Sequence, residues 1–308
     1  MTMKAYMVFD IGGTYIKYAV MNDEAMKLES GKIPTPREGL EVFLQNITDI
    51  VMHYRSLFDI KGIALSSPGA VDVYRGFIGG ASAIPYIPGV CLTDLLKEKT
   101  GLFVSIENDA NCAALAEGWI GRAKETDYYI CIVIGTGIGG SIVINQTILR
   151  GAALHGGEFG YMITGNPVQM NPLQSTWSKV ASTHALVEEV EVRKSLAKGT
   201  LNGEDVFRLA EGGDLVAKES LAYFYKKLAV GIYNLKYALD PKKILIGGGI
   251  SKRPEVIEGI NQELRHLKDE ISTLDITVEA CQFDNDANLI GALFHFLRVP
   301  LSNRNLIS

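Results

Sequence analysis

At Val104 to Gly118, V-S-I-E-N-D-A-N-C-A-A-L-A-E-G, an apolar strand runs into three polar residues and then into a good helix former. Phe103 to Ile106 reads as the strand and the Ala- and Leu-rich continuation as the helix. Polar groups at the carboxyl end of a strand, opening a helix, are where α/β folds place ligands. Asp109 stands at the N-terminus of that predicted helix. A carboxylate so placed can accept the proton of a hydroxyl while that hydroxyl attacks a phosphoryl group. Asn108 beside it can hold a neighbouring hydroxyl with both a donor and an acceptor. The plainer reading is that Asp109 only caps the helix, because Asp is among the favoured capping residues.

Three glycine turns supply the other half of such chemistry. D-I-G-G-T, Asp10 to Thr14, joins two apolar runs as a hairpin with Gly12 and Gly13 at its tip. Glycines let backbone N–H groups approach a phosphate closely. Asp10 can hold Mg²⁺ through water, and Thr14 can donate its hydroxyl. Alone, the motif is also an ordinary hairpin turn. G-T-G-I-G-G, Gly135 to Gly140, leads from strand to strand. It is therefore neither the dinucleotide fingerprint, which opens a helix, nor a Walker A loop, which needs Gly-Lys-Ser/Thr. It can form a phosphate nest from Gly135, Thr136, Gly137 and Gly139. Gly247-Gly248-Gly249 ends another buried strand, and a nucleoside is expected there, at Gly248 and Gly249. Three such turns at strand ends are much harder to explain as chance than one. In R-G-A-A-L-H-G-G-E-F-G-Y, Arg150 to Tyr161, Glu158 can accept hydrogen bonds from adjacent hydroxyls. His155 is read as structural.

The elements that must position these groups alternate strand and helix. Ala5 to Phe9 and Tyr15 to Met21 flank the first turn as strands. Leu40 to Phe58 carries apolar residues at helical spacing, Gly62 to Leu65 is a short buried strand, and Leu92 to Thr100 is helical. Asp72 to Gly89, rich in Gly and Pro, is a long irregular stretch, and long loops are often functional. Tyr128 to Ile134 and Ser141 to Asn145 flank the second turn as strands. Helices follow at Gln174 to Glu189, Glu204 to Ala210 and Leu215 to Leu239, the last ended by Asp240-Pro241. Lys243 to Ile246 is strand, Pro254 to Ile271 helix, Thr277 to Ala280 strand and Ala287 to Val299 a closing helix. The strand, glycine turn, strand device thus occurs twice and suggests two related α/β halves facing each other across a cleft. The crossing between them is expected near Gly118 to Asp127.

Bulk composition narrows the function. With 308 residues and 47% hydrophobic content the chain can bury a large core, and two domains are the prior. A net charge of −5 with no basic stripe argues against a nucleic-acid partner. Cys91, Cys112, Cys131 and Cys281 are scattered in apolar surroundings without metal-ligand spacing, as buried free thiols of a reducing compartment would be. The N-terminus reaches an acid at Asp10, too early for a signal peptide, and no apolar run can span a bilayer. A cytoplasmic protein with no membrane partner is expected.

Together, D-I-G-G-T, S-S-P-G-A-V-D (Ser66 to Asp72), E-N-D-A-N, G-T-G-I-G-G, G-G-E-F-G and I-G-G-G stand in the order of the ROK family of sugar kinases and repressors. The chain resembles that family from Asp10 to the closing helix. The resemblance implies an actin-like, ribonuclease-H-like α/β fold of two lobes around a cleft. Residues 1–118 would form the first lobe, residues 119–286 the second, and the helix 287–299 would pack back on the first. It implies an ATP-dependent sugar kinase using Mg²⁺, a homodimer, with Asp109 as base. Asn108 and Glu158, with Gly69, would hold the sugar. Asp10, Gly12, Gly13, Thr14, Lys17, Gly135, Thr136, Gly137 and Gly139 would surround phosphate and Mg²⁺.

Four departures from the family pattern carry information. Tyr161 stands where the family usually has His. N-P-V-Q-M-N-P-L-Q-S, Asn166 to Ser175, replaces the usual cysteine cluster, so no structural zinc is expected. Gln174 aligns with a sugar-binding Glu. Tyr86, in P-Y-I-P, replaces an Asn of the sugar loop. A site lacking the His that reaches the anomeric hydroxyl loses less when that oxygen is blocked, and Tyr86 and Tyr161 can stack on a second ring, although packing is the commoner fate of Tyr. The acceptor is therefore expected to be a β-glucoside or disaccharide, at its 6-hydroxyl. Glucokinase and N-acetylmannosamine kinase are the near alternatives. An actin-like ATPase or a non-catalytic sugar sensor is the alternative of another class. A family repressor would carry a helix-turn-helix module ahead of D-I-G-G-T, and the nine residues before Asp10 are expected to leave no room for one.

Overall fold

The computed structural model describes residues 4–80, 82, 84–168, 171–271, 273–284 and 286–300. Gln169 and Met170, within the stretch that replaces the cysteine cluster, and Ala81 and Ala83, within the irregular stretch, lie outside the described residues. The chain divides into two compact units. The first holds the chain to Lys124, the segment Arg150–His155 and the closing helix; the second holds Glu125–Leu149 and Gly156–Asp284.

The first unit begins with the antiparallel strands β1 (Lys4–Ile11), β2 (Tyr15–Met21) and β3 (Lys27–Pro34). Helix α1 (Leu40–Arg55) buries Phe43, Leu44, Ile47 and Val51. Strand β4 (Asp59–Ser67) follows, then the small hairpin β5 (Ala70–Asp72) and β6 (Phe77–Gly79), helix α2 (Leu92–Thr100), strand β7 (Val104–Asn108) and helix α3 (Asp109–Ile120). The sheet order is β3-β2-β1-β4-β7, with β1, β4 and β7 parallel. Strands β1 and β4 are buried on both faces, which is why they read as continuous apolar runs rather than alternation.

The second unit contains β8 (Tyr128–Ile134), β9 (Ile138–Ile144), β10 (Thr147–Ile148), α4 (Trp177–Ala181), α5 (Thr183–Arg193), α6 (Gly203–Glu211), α7 (Leu215–Leu239), β11 (Lys243–Gly247), α8 (Pro254–Ile271) and β12 (Glu279–Ala280). Its sheet order is β10-β9-β8-β11-β12, again third, second, first, fourth, fifth along the unit. The repeated glycine device therefore belongs to a repeated sheet. Its core gathers Trp177, Phe224, Leu228 and Ile232 against the strands. The chain closes with α9 (Ala287–Arg298), which returns to the first unit and packs on α3, β1, β4 and β7. Gly291 of α9 allows this approach, because a Cβ there would lie 1.8 Å from the Cys112 carbonyl oxygen.

Three expectations are corrected. The continuous helix Gln174–Glu189 is a short 3-10 turn (Pro172–Ser175) followed by α4 and α5, broken where the Ser182 side chain caps α5 by accepting from the Ala185 N–H at 3.1 Å. The strand expected from Ser141 begins at Ile138, so Gly139 and Gly140 lie in the ladder. Gly140 is required there because the Phe159 ring fills the place of a Cβ, 2.4 Å away. Of the four free thiols, Cys112 and Cys131 are buried, whereas Cys91 and Cys281 are half-buried.

Candidate active site

In the first unit, Asp10 ends the run of β1 into the glycine turn and is 9% exposed. One of its oxygens accepts from Ser66 Oγ at 3.1 Å and from Asn288 Nδ2 at 2.9 Å. Lys17 Nζ stands 3.8 Å from the other. The turn is tied by the Gly12 N–H to the Tyr15 carbonyl at 3.1 Å and by two bonds from Thr35, its hydroxyl to the Gly12 carbonyl and its N–H to that of Thr14. Gly13 and Thr14 are left exposed. A carboxylate oriented at one oxygen suits a Mg²⁺ held through water. Among the described residues no group of three or more His, Cys, Asp or Glu is placed to hold a metal ion directly.

The β7–α3 corner assigns separate roles to the polar trio. Asn108, not Asp109, is the N-cap, its Oδ1 accepting from the Asn111 N–H at 3.1 Å. Its Nδ2 donates to the Gly69 carbonyl at 3.0 Å, and Gly69 adopts φ +105, a conformation that glycine permits. The amide of Asn108 keeps a second N–H and a second lone pair for a ligand. Asp109 is the first residue of α3, its Oδ1 accepting from the Ala110 N–H at 2.9 Å, at the positive end of the helix dipole. Tyr86 packs edge-on to Phe43 and donates its hydroxyl to the Pro36 carbonyl at 2.6 Å. Burial, then the Glu38 charge, pushes its phenol up. With its proton given to Pro36, Tyr86 can offer a ligand its ring and a phenol oxygen that only accepts.

Glu107 received no role from the sequence, yet it is the wholly buried acid of the corner. Arg150 grips it with both terminal nitrogens, Nη1 at 2.8 Å, and His295 Nδ1 lies 3.8 Å away. Burial opposes its charge, but the bond from Arg150, the fields of His295 and Arg150, and the bond from Asn111 together hold its carboxyl below the usual 4.5. An acid at the end of a buried strand was the available signal, since such a charge must find a partner. Nothing local named Arg150, 43 positions away.

In the second unit, the turn between β8 and β9 is Gly135 to Gly137, closed by the Gly135 N–H to the Gly137 carbonyl at 2.9 Å. Gly139 is two residues past it, paired with Val133. Gly248 has φ +93, and a Cβ there would lie 2.1 Å from the Ile134 carbonyl oxygen. The β11 turn is thereby packed on the end of β8. A cavity of about 440 Å³ is lined by Gly135, Thr136 and Gly249, by Val187, Leu201, Phe207 and Ile250, and by the polar Thr183, His184, Asn202, Glu204 and Arg253. That size and mixture fit a nucleoside. The Arg253 guanidinium lies over the Phe207 ring at 4.5 Å and pairs with Glu204, Glu211 and Glu255. Apart from the glycine turns, these lining residues carry no motif, and sequence reasoning missed them. Glu158 is exposed, preceded by Gly157, whose φ of +93 and close approach to the Gly140 carbonyl exclude a side chain. Tyr161 is 71% exposed, and Gln174 is exposed in the 3-10 turn before α4.

The sequence profile of the ROK family matches residues 6–298. The chain belongs to the ROK family. This ROK protein is 35% identical over 292 residues to a beta-glucoside kinase of Listeria monocytogenes, covering 94% of this chain and 96% of that one. A ROK protein of Streptococcus pneumoniae, solved in complex with sucrose, is similar with a TM-score of 0.86 at 36% identity, covering 97% and 98% of the two chains. A ROK glucokinase of Streptomyces griseus, solved with glucose and AMPPNP, has a TM-score of 0.78 at 27% identity, covering 94% and 98%. The fold is the two-lobed actin-like one of these kinases, and the protein is a ROK-type sugar kinase.

Proposed function

We propose that this sugar kinase transfers the γ-phosphoryl group of ATP to the 6-hydroxyl of a β-glucoside, with Asp109 as general base. The observation that carries the base assignment is the β7–α3 corner. Asp109 opens the helix there beside Asn108, which is held at both ends of its amide by Asn111 and Gly69. In the reaction, Asp109 takes the proton of the attacking hydroxyl, and Asn108, Gly69, Glu158 and Gln174 hold the other hydroxyls. Gly12, Gly13, Thr14, Lys17, Gly135, Thr136 and Gly137 receive the phosphates, and the cavity beside Gly248 and Gly249 receives the nucleoside. Asp10 would hold Mg²⁺ through water, and that ion would neutralise charge on the transferring phosphoryl group. The setting expected is a cytoplasmic homodimer; no described helix is long and apolar enough to cross a membrane.

The acceptor reading is supported by Tyr161, which presents an exposed ring at the position where the family usually has His. It is supported too by the beta-glucoside kinase relative and by sucrose, a two-ring sugar with no free anomeric hydroxyl, in the pneumococcal structure. A coupled ADP-release assay with cellobiose, an aryl β-glucoside, glucose and N-acetylmannosamine tests both parts. Cellobiose and the aryl glucoside should exceed glucose in kcat/KM, and Asp109→Asn should lower kcat about 10²–10⁴-fold. Preference for glucose or N-acetylmannosamine overturns the acceptor. Unchanged turnover in Asp109→Asn overturns the base.

A further inference from the structure

Between Arg150 and the sugar-binding corner runs a chain of hydrogen bonds through the Glu107 carboxylate, the Asn111 side chain and the backbone N–H groups of Asn108 and Asn111. Arg150 holds both oxygens of the buried Glu107 carboxylate. Glu107 Oε1 accepts from Asn111 Nδ2 at 3.0 Å and from the Asn108 backbone N–H at 2.8 Å. The Asn111 N–H in turn fixes Asn108 Oδ1. A bidentate guanidinium–carboxylate pair sets direction as well as charge. Arg150 also opens the segment Arg150–His155, which belongs to the first unit while Leu149 and Gly156 on either side belong to the second. Glu158 follows two residues after Gly156.

We propose that Glu107 and Arg150 are positioning residues for phosphoryl transfer. Their buried pair presets the rotamer of Asn108 and the start of α3, and with it the carboxylate of Asp109. This rests on the reading of Asn108 and Asp109 as the sugar-side residues.

The test compares Arg150→Lys, Arg150→Met, Glu107→Gln and the double variant Glu107→Gln/Arg150→Met, with Asp109→Asn as a control. The double variant removes both charges and leaves no unpaired ion in the core. Lys keeps the charge but not the two-pronged grip. In each folded variant kcat/KM for the glucoside should fall, roughly 10- to 100-fold in the double, as misplacement of reacting groups does. Affinity for a fluorescent ATP analogue should stay that of wild type, and Arg150→Lys should fall between wild type and Arg150→Met. A double variant that turns over like wild type overturns the proposal, and so does a loss of nucleotide affinity that matches the loss of turnover. If Arg150→Met or the double does not fold, Arg150→Lys decides by the same two readouts. Turnover that survives in Asp109→Asn would instead mark the failure of the base assignment.

Discussion

Replacing Trp177 by Ala tests how the stretch that lacks the cysteine cluster is held. Trp177 is the largest fully buried side chain, and its indole N–H donates to the Lys227 carbonyl of α7 at 3.1 Å. α7 makes room with Gly231, where a Cβ would lie 2.2 Å from the indole. The Trp177 N–H closes the stretch by donating to the Met162 carbonyl at 2.7 Å, and Thr164 and Gly165 both donate to the Ser175 carbonyl. The next residue, Ser178, accepts from the Ile138 N–H at 2.8 Å beside the Gly135–Gly137 turn. Truncating a buried Trp costs about 3–5 kcal/mol. At roughly 2–4 °C per kcal/mol for a unit of this size, the melting temperature should drop by about 6–20 °C. Calorimetry of wild type and variant, with and without EDTA, reads this directly. EDTA should leave the wild-type transition in place, because the indole does the anchoring. A variant that melts with wild type refutes the anchoring role, and an EDTA-sensitive wild type shows that a metal shares it.

Two more expectations concern the turn after β11, proposed to face the nucleotide, and acid stability. Gly248→Ala forces a Cβ into the Ile134 carbonyl at a positive φ, strain of about 1–3 kcal/mol, so it should raise KM for ATP and leave KM for the sugar alone; equal changes in both would contradict the assignment. Burial, against the pull of Glu107 and with the push of Arg150, holds the folded-state pKa of His295 below 6.5. The unfolded chain therefore binds the extra proton first, and stability should fall as pH drops below the unfolded value. The lowered carboxyl of Glu107 adds a second loss, complete only once pH passes its folded value below 4.5. Urea midpoints between about pH 7 and 5 should decline in wild type and flatten in His295→Phe; a slope unchanged in the variant assigns the titration elsewhere.

The glycine turns were legible because glycine at the end of an apolar run stands out in the sequence itself, although what requires it can be distant, as at Gly248, where a Cβ would meet the Ile134 carbonyl. The helices Leu215–Leu239 and Pro254–Ile271 were legible to the residue from spacing and from the prolines at their borders. β3 was not read, because L-E-S-G-K-I-P lies at a sheet edge, largely exposed, and shows no apolar pattern. The break at Ser182 was missed because α4 and α5 both pack on α7, so the apolar rhythm runs through the cap.

The order of the motifs determined the family, the α/β class and the place of Asp109 at the start of a helix. Tertiary structure alone decided that Asn108 caps that helix, that Arg150 reaches Glu107, and that Asn288 reaches Asp10 across 278 positions. It alone walled the cavity of the second unit with residues from Ile134 to Arg253. The physical reason is range. Turn and helix preferences act over a few residues and exist in the isolated segment. A buried ion pair or a cavity wall comes into being only when the core closes, removes water and brings distant side chains into one low-dielectric place.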